Sequence, residues 1–420
     1  LHRRRHSFPT RRSSDLQGRF ALPHSDEKGD GALLSLRLGM SADGHLGEVG
    51  LSSLRLHLAG ERYIAQLLYL GLLRHLGGLQ LVLLDGEGQP LTGEQGLPLP
   101  AIGLPASQVE AVGFSEDHAL IPYPHNTFRG YRHLQEYFAF QDKFLFVELK
   151  GLDALQRQPT EVLERARGLE LRFDIRKTGL QRIRPTLDNV RLYCTPVVNL
   201  FAHDAIPIRL DGKQDQYLLL PAELDPQHCG VFSVDRVTGW KPGGMGYEEY
   251  VPFESFEHDT SFDQPRARPH YSVRQQPSLL GDGLETWLSF AQRGGEAQET
   301  LSIELTCTNQ SLARQLKPGD ICLPSEDTPE FLSFRNIGTV TPSYAPPLHR
   351  DYLWKLISNM SLNYLSLADV EALKVILETY DLAHALHDSL DPLVVQLQAV
   401  HKSRSHSPFF RFCDIRRVGF

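Results

Sequence analysis

Several stretches of the chain alternate apolar and polar residues with a period of two, and this alternation constrains the fold most. It is clearest in residues 34–38, 54–58 and 301–307, where an apolar side chain stands at every second position. Successive side chains of a β-strand point to opposite faces, so each segment predicts a strand with one buried face. Antiparallel sheets commonly have one such face on the core.

Further strand-like segments fill residues 169–240, separated by Asp-Gly and Asp-Pro pairs that favour turns. Residues 63–73 have the spacing of a short amphipathic helix, whereas residues 85–127 are rich in Gly and Pro and predict a long surface loop. Residues 241–300 predict mostly loop, with one strand at 285–290.

The C-terminal part changes character, because residues 353–367 have helical periodicity. Ser366, with Asp369 three residues later, predicts the start of a further helix whose apolar residues recur from Val370 to Tyr380. Mostly antiparallel strands followed by segregated helices predict an α+β fold with several sheet layers, a helical C-terminal part and more than one domain.

The predicted segments follow these changes along the chain. They are 1–16, a non-native or disordered tail; 17–150, a mixed α/β segment with an aromatic helix–strand unit; 151–335, a β-rich domain; 336–400, a helical segment; and 401–420, an end typical of a truncated or frame-shifted chain.

The first sixteen residues are rich in Arg and resemble translated sequencing-adaptor sequence. The whole chain carries a formal charge of −8; without these residues 38 Lys and Arg stand against 50 Asp and Glu, a net charge of −12. A chain this acidic, with no run of Lys and Arg, is repelled by phosphate backbones, so we expect no nucleic-acid partner. The sequence contains no stretch of about 18 apolar residues, so it predicts no membrane-spanning helix.

The sequence contains no complete catalytic or metal-binding motif. His133 and Glu136 lie at helical spacing and could supply half of a metal site, but no second pair of this kind follows. The five cysteines are scattered without C-x-x-C spacing, which favours reduced thiols in a cytosolic protein. We therefore expect no metal, no cofactor and no enzymatic activity.

Residues 128–149, FRGYRHLQEYFAFQDKFLFVEL, are dense in aromatic side chains. Tyr131, Leu134 and Phe138 recur as on one face of a helix, and residues 143–149 predict a strand that is apolar on both faces. A strand of this kind needs cover on both sides. The segment is therefore predicted to lie in a core or a subunit contact, and an exposed platform for a ligand remains the alternative.

Longer segments resemble the TssF (VasA/ImpG) family, a baseplate subunit of the bacterial type VI secretion system. The resemblance is carried in collinear order by residues 130–149, 195–211, 232–240, 285–290, 305–321 and 336–367. It covers about residues 30–400 and implies a fragment that lacks both termini of the family. Gln141 replaces a Pro of the family pattern and Trp287 replaces a Tyr, changes that leave the implied fold intact.

The resemblance implies a structural wedge subunit in the cytoplasm, held at the cytoplasmic face of the inner membrane through the assembled baseplate. Implied partners are TssG-like and TssK-like subunits, a second TssF copy, the VgrG hub and sheath components. The family motifs mark the following residues as core or interface candidates: Gly130, Tyr131, Arg132, Glu136, Tyr137, Phe138, Phe144, Phe146, Asn199, Phe201, Asp204, Trp354, Asn363 and Tyr364.

Two other functions fit parts of the sequence. A carbohydrate-active or carbohydrate-binding protein would use exposed rings such as Tyr131, Tyr137 and Trp240, and catalysis would need two carboxylates about 5–10 Å apart. A wedge protein of a contractile phage tail would share the implied architecture.

Overall fold

A computed structural model gives the fold of the chain. It describes residues 17–21, 32–40, 44–123, 131–176, 185–240, 246–253, 269–278, 283–291, 299–325, 328–329, 332–344, 350–361 and 370–381. The described residues form two compact units, one within 1–122 and 140–197 and the other within 123–139 and 198–420.

Strands dominate both units. The strands are β1 (Gln17–Ala21), β2 (Ala32–Gly39), β3 (Leu54–Leu58), β4 (Leu76–Leu84), β5 (Ile102–Leu104), β6 (Val109–Val112), β7 (Phe146–Leu149), β8 (Gly168–Ile175), β9 (Val190–Leu192), β10 (Phe201–Asp204), β11 (Ile208–Leu210), β12 (Tyr217–Leu218), β13 (Gly230–Trp240), β14 (Tyr247–Pro252), β15 (His270–Pro277), β16 (Leu284–Phe290) and β17 (Glu299–Thr308). The α-helices are α1 (Arg62–Arg74), α2 (Arg132–Ala139), α3 (Thr160–Arg165), α4 (Arg350–Ser361) and α5 (Val370–Tyr380).

The first unit contains two antiparallel sheets, of order β1-β2-β8-β4-β5 and β6-β7-β3-β9. Their inward side chains form one apolar cluster with helix α1, which supplies Leu68 and Leu72. Leu36, Leu171 and Leu81 lie side by side on three paired strands, and none is more than 4% exposed. Each buried leucine contributes about 1.5–3 kcal/mol, so this cluster holds the unit together.

The opposite face of the larger sheet carries a buried carboxylate. Glu170, which is 2% exposed, accepts hydrogen bonds from Arg37 Nε at 3.0 Å and from Arg172 Nη2 at 2.7 Å. Arg37 is the residue opposite Glu170 in the β2–β8 register. A shift of that register would leave the carboxylate without the Arg37 partner, so the ion pair helps to fix the pairing of the strands.

The second unit is built on one large sheet of order β10-β17-β13-β14-β15-β16-β12, with β11 also paired to β17. All pairs are antiparallel except β14 with β15. Leu301, Ile303, Leu305 and Cys307 of β17 are at most 1% exposed and form the centre of this unit's core. Together the two units confirm the predicted α+β class with mostly antiparallel sheets.

Strand β13 contains a glycine at a position where its neighbours leave no room for a side chain. Tyr250 donates a hydrogen bond of 2.5 Å to the buried Glu299, and both lie against Gly239. The pattern SVDRVTGW thus places a glycine where side chains from the two neighbouring strands, β14 and β17, meet.

Helices α2, α4 and α5 of the second unit are joined by a tyrosine cluster, made of Tyr123, Tyr131, Tyr352 and Tyr380. The rings of Tyr131 and Tyr380 lie 5.4 Å apart. Tyr131 donates a hydrogen bond to the Asn359 carbonyl at 3.1 Å, and Tyr352 donates one to the Thr379 carbonyl at 3.0 Å. Burial, with the three neighbouring phenols, raises the pKa of Tyr380 to about 12.

Several sequence expectations about elements were wrong. Residues 85–127 contain β5 and β6, and residues 241–300 contain β14 and β15. These strands are short or carry exposed polar residues, so their apolar periodicity is weak. The strand predicted at 143–149 begins only at Phe146, because residues 141–144 form a 3₁₀ turn.

The boundaries of the two units differ from the segment boundaries predicted from the sequence. Strand β8, in the predicted 151–335 segment, lies between β2 and β4 of the first unit. Pairing between distant strands leaves no mark in local composition. The segments 1–16 and 401–420 lie outside the described residues.

Replacing Gly239 by Ala should lower the free energy of unfolding by about 1–3 kcal/mol, because the new Cβ would clash with Glu299 Oε1 and lie 2.8 Å from the Tyr250 ring. Urea denaturation measures this loss. Gly103→Ala is the control, since no atom lies within 4 Å of its added Cβ. Equal effects of the two substitutions would show that the close contact at Gly239 is absent.

Alkaline pH should loosen the tyrosine cluster. The ordinary pKa of tyrosine is 10.0, so above that pH the unfolded chain loses the Tyr380 proton while the folded chain keeps it up to about 12. The stability contributed by Tyr380 is therefore full below pH 10 and is lost progressively towards pH 12. The melting temperature should fall over this range, and less steeply in Tyr380→Phe; identical slopes would contradict the assignment.

Candidate interaction surfaces

The aromatic helix α2 buries a different side than its apolar spacing predicts. Arg132 is 7% exposed and Glu136 is 1% exposed, whereas Tyr131, Leu134 and Phe138 of the predicted stripe are only half-buried. The face marked by Tyr131, Leu134 and Phe138 is thus half-buried, and the more deeply buried side chains of the helix are the charged ones. A buried charge is stable only when other groups compensate it, and such tertiary compensation cannot be inferred from periodicity.

The rings in and beside α2 make contacts within the protein. Tyr131 packs on Tyr380, and Tyr137 meets Phe138 edge to face with centroids 5.5 Å apart. Tyr123 donates a hydrogen bond to the Gln135 side chain. Gly130, the family-motif residue just before the helix, lies outside the described residues.

Phe144 and Phe146 lie in the core of the first unit. Phe144 is 7% exposed and packs against Phe114, with ring centroids 5.1 Å apart. Phe146 is 4% exposed and stacks on His57 at 4.4 Å. Burial is the main cause that lowers the pKa of His57, so the imidazole is neutral over a wide pH range and behaves as a packing ring.

The fully buried Lys143 belongs to the same region. Its Nζ lies 5.0 Å from the centroid of the Phe144 ring, which is a cation–π geometry. The quadrupole of the ring compensates part of the cost of burying an ammonium group. Sequence reasoning missed Lys143, because nothing in its sequence position distinguishes it from a solvated lysine.

Asn199, Phe201 and Asp204 lie at or on β10, an outer strand of the second unit's sheet. Asn199 Nδ2 donates a hydrogen bond to Thr308 Oγ1 at 3.2 Å, which ties the chain before β10 to the end of β17. Phe201 is half-buried beside the His203 ring, and Asp204 is exposed opposite Glu304. Asn199 thus fixes the start of β10 against β17, and Phe201 and Asp204 are paired residues of β10. The three side chains do not form a reactive cluster.

Among the aromatic candidates that the structure describes, Trp354 is the most exposed. It is 66% exposed on α4, next to Leu353 at 44%, and Ile357 of the same helix is 56% exposed. Trp and Tyr side chains dominate the binding energy of many protein interfaces. The other two candidates from this segment, Asn363 and Tyr364, lie outside the described residues.

The described residues contain no group of three or more His, Cys, Asp and Glu that could hold a metal ion. Cys194, Cys229, Cys307 and Cys322 are all free thiols. Within the same ranges, no helix has both the length and the apolar character needed to cross a bilayer.

A shallow cleft of about 390 Å³ is present in the second unit, with Arg209, Asp211, Gln214 and Tyr217 in its lining. Asp211 is the one carboxylate among its lining residues, whereas glycoside hydrolysis needs two. Tyr131, Tyr137 and Trp240, the rings that a carbohydrate platform would use, are not part of this lining.

Truncating Phe146 to Ala should cost about 3–5 kcal/mol of unfolding free energy, because the ring is buried against His57. Thermal or urea denaturation measures it. Tyr63→Ala removes a ring that is 60% exposed and serves as the control, with an expected loss well below that of Phe146→Ala. A small effect of Phe146→Ala would place the ring at the surface.

Known proteins similar to this chain are components of one secretion machine. Type VI secretion system component TssF1 of Pseudomonas aeruginosa is 32% identical over 323 residues, which cover 70% of this chain and 49% of that protein. The chain therefore spans about half the length of this curated relative.

A solved structure has the same fold. A chain of the TssK-TssF-TssG baseplate subcomplex of the type VI secretion system, determined by cryo-electron microscopy, superposes with a TM-score of 0.67 at 25% identity. The match covers 88% of this chain and 64% of that chain. The family model described as Type VI secretion system, TssF, matches residues 13–409, and the chain therefore belongs to the TssF family.

Proposed function

We propose that the protein is a structural wedge subunit of a type VI secretion baseplate and that it holds TssG-like and TssK-like subunits in fixed geometry. The observation that carries the proposal is the likeness to a chain of the TssK-TssF-TssG subcomplex over 88% of this chain. A second copy of the subunit, a VgrG-type hub and sheath components are further partners in this proposal.

The geometry of the described residues supports a mechanical role. The rings of the aromatic segment pack against protein, in the core of the first unit and in the tyrosine cluster of the second. Large apolar side chains that remain exposed, such as Trp354, are typical of interface anchors. The proposal therefore assigns the subunit no reaction and no cofactor.

The proposal places the protein in the cytoplasm, against the cytoplasmic face of the inner membrane, through the assembled baseplate. Scattered free cysteines suit a reducing compartment. Attachment through partner subunits requires no membrane-inserted segment of its own.

Co-expression tests the proposal. The full-length gene product that carries this segment, tagged and expressed with its TssG-like and TssK-like neighbours, should co-purify with both chains. Trp354→Ala should weaken the complex without lowering the melting temperature, because the ring is 66% exposed. Lys355→Ala, at an exposed position of the same helix, should change neither property.

A tagged chain that remains alone at low salt would contradict the proposed function. A complex that forms equally well with Trp354→Ala would leave the function standing and remove Trp354 from the interface.

A further inference from the structure

The two ends of the second unit's large sheet are joined at one short junction. Strands β10 and β12 are the outermost strands of the sheet order. Just after β10, Ala205 forms an antiparallel bridge with Pro221, and Ile206 N donates a hydrogen bond to Leu220 O at 2.9 Å. The chain after β10 is therefore fixed against the chain after β12.

Beyond this junction the two strands separate. Strand β11 pairs with β17, whereas β12 pairs with β16 on the other side of the gap. The cleft of about 390 Å³ lies between them, because its lining includes Ile206 and Ile208 from one side and Leu218 and Leu220 from the other. Each wall of the cleft is thus a strand that is already held through its far edge.

The edge of β12 directs backbone hydrogen-bonding groups towards this cleft. Leu219 N donates to Thr286 O of β16 at 2.9 Å, and Leu220 O accepts from Ile206 N on the opposite side. Neighbouring residues of a strand direct their N–H and C=O groups to opposite edges. The N–H and C=O of Leu218 therefore point away from β16 and into the cleft, where a further strand could pair with them.

Strand β12 is held in place by its inward side chains. The Tyr217 ring lies 5.9 Å from the Phe290 ring, and Leu219 is 2% exposed. The edge at Leu218 is therefore ordered before any ligand arrives. Binding to a preordered edge loses little conformational entropy in the protein.

The lining of the cleft indicates the chemistry of what it binds. Ile206 is 49% exposed and Leu218 is 37% exposed, so the walls present apolar surface to solvent. Arg209 and Asp211 contribute one charge of each sign to the lining, which selects neither a polyanion nor a polycation. An extended apolar peptide offers both backbone groups that can pair with Leu218 and side chains that can cover Ile206.

We propose that the Leu218 edge of β12 accepts an extended apolar segment of a partner subunit as an additional strand. The backbone of that segment pairs with the N–H and C=O of Leu218, and one of its side chains lies between Ile206, Leu218 and Leu220. That the partner is a baseplate subunit rests on the proposed function. Main-chain hydrogen bonds supply the affinity in this mode of recognition, and the apolar walls supply the selectivity.

The first test changes the backbone of the edge. Affinity of the full-length chain for the purified TssG-like and TssK-like subunits is measured by calorimetry or interferometry. Leu218→Pro removes the N–H that points into the cleft and should weaken binding by about tenfold or more. Leu218→Ala shortens the side chain but keeps the N–H, so it should weaken binding less. Equal weakening by the two variants would contradict strand addition.

The second test changes the apolar wall and leaves the backbone intact. Ile206→Asp puts a carboxylate at a side chain that is 49% exposed in the cleft, and it should also weaken binding by about tenfold or more. Val273→Asp is the matched control, because Val273 is a β-branched residue on β15 of the same sheet, 39% exposed and outside the cleft lining. It should bind as the wild type does. Melting temperatures identify any variant that fails to fold.

Hydrogen exchange provides a readout that reports on the new strand itself. In the wild-type complex the Leu218 amide should exchange more slowly than in the free chain, because it donates to the added strand. The Leu219 amide, which already donates to Thr286, should change much less. Unchanged exchange at Leu218 in a complex that forms would contradict the inference.

Three binding outcomes would also overturn the inference. If the wild-type complex forms and both Leu218→Pro and Ile206→Asp bind as Val273→Asp does, the cleft is not the contact, although the proposed function stands. If the chain alone self-associates and Ile206→Asp abolishes this, a second copy occupies the cleft. If the wild-type complex does not form, the proposed function fails and the strand addition fails with it.

Discussion

The second unit depends on strand β17, which pairs with three other strands of the chain. Along its length β17 pairs with β13 on one side, and with β10 and β11 on the other. Its inward residues fill the core, and its last residue, Thr308, accepts the hydrogen bond from Asn199. A shift of β17 would therefore break two sets of ladder hydrogen bonds.

The sequence predicted the strands and helices that bury one face along their whole length, because their apolar residues recur without interruption. Strands β2, β3 and β17 have strict alternation, and α1 and α5 have clear helical spacing, so each lies close to its predicted place. Strands β14 and β15 were missed because exposed Glu, Arg and Gln residues interrupt their pattern. The division into units was beyond local reasoning, since β8 joins β2 and β4 through long-range pairing.

The candidate surfaces were less predictable than the fold. Aromatic density marked residues 128–149 as important, but it could not distinguish core from contact: Phe146 is buried, whereas Trp354, from another motif, is exposed. The burial of Lys143 and Glu170 could not be predicted, because burial of a charged side chain depends on the tertiary fold, whereas Glu136 had been marked as a core or interface candidate by the family motif.

Buried charges and close contacts at a glycine favour one strand pairing in each of the two units. Glu170 between two arginines, and Glu299 bonded to Tyr250 beside Gly239, each favour one arrangement of strands over slipped alternatives. A subunit that must hold partners in fixed geometry benefits from this specificity, because partner surfaces then meet an ordered framework. Contacts made by preordered groups also lose less entropy when they form.

Amide hydrogen exchange, measured on the full-length chain alone and in its complex with the partner subunits, tests this account most directly. The account predicts slower exchange on assembly at residues 350–361, which carry the exposed Trp354, with no change in β8 and β17. Unchanged exchange at residues 350–361, or slowing concentrated in the core strands, would contradict a rigid subunit that works through exposed surfaces.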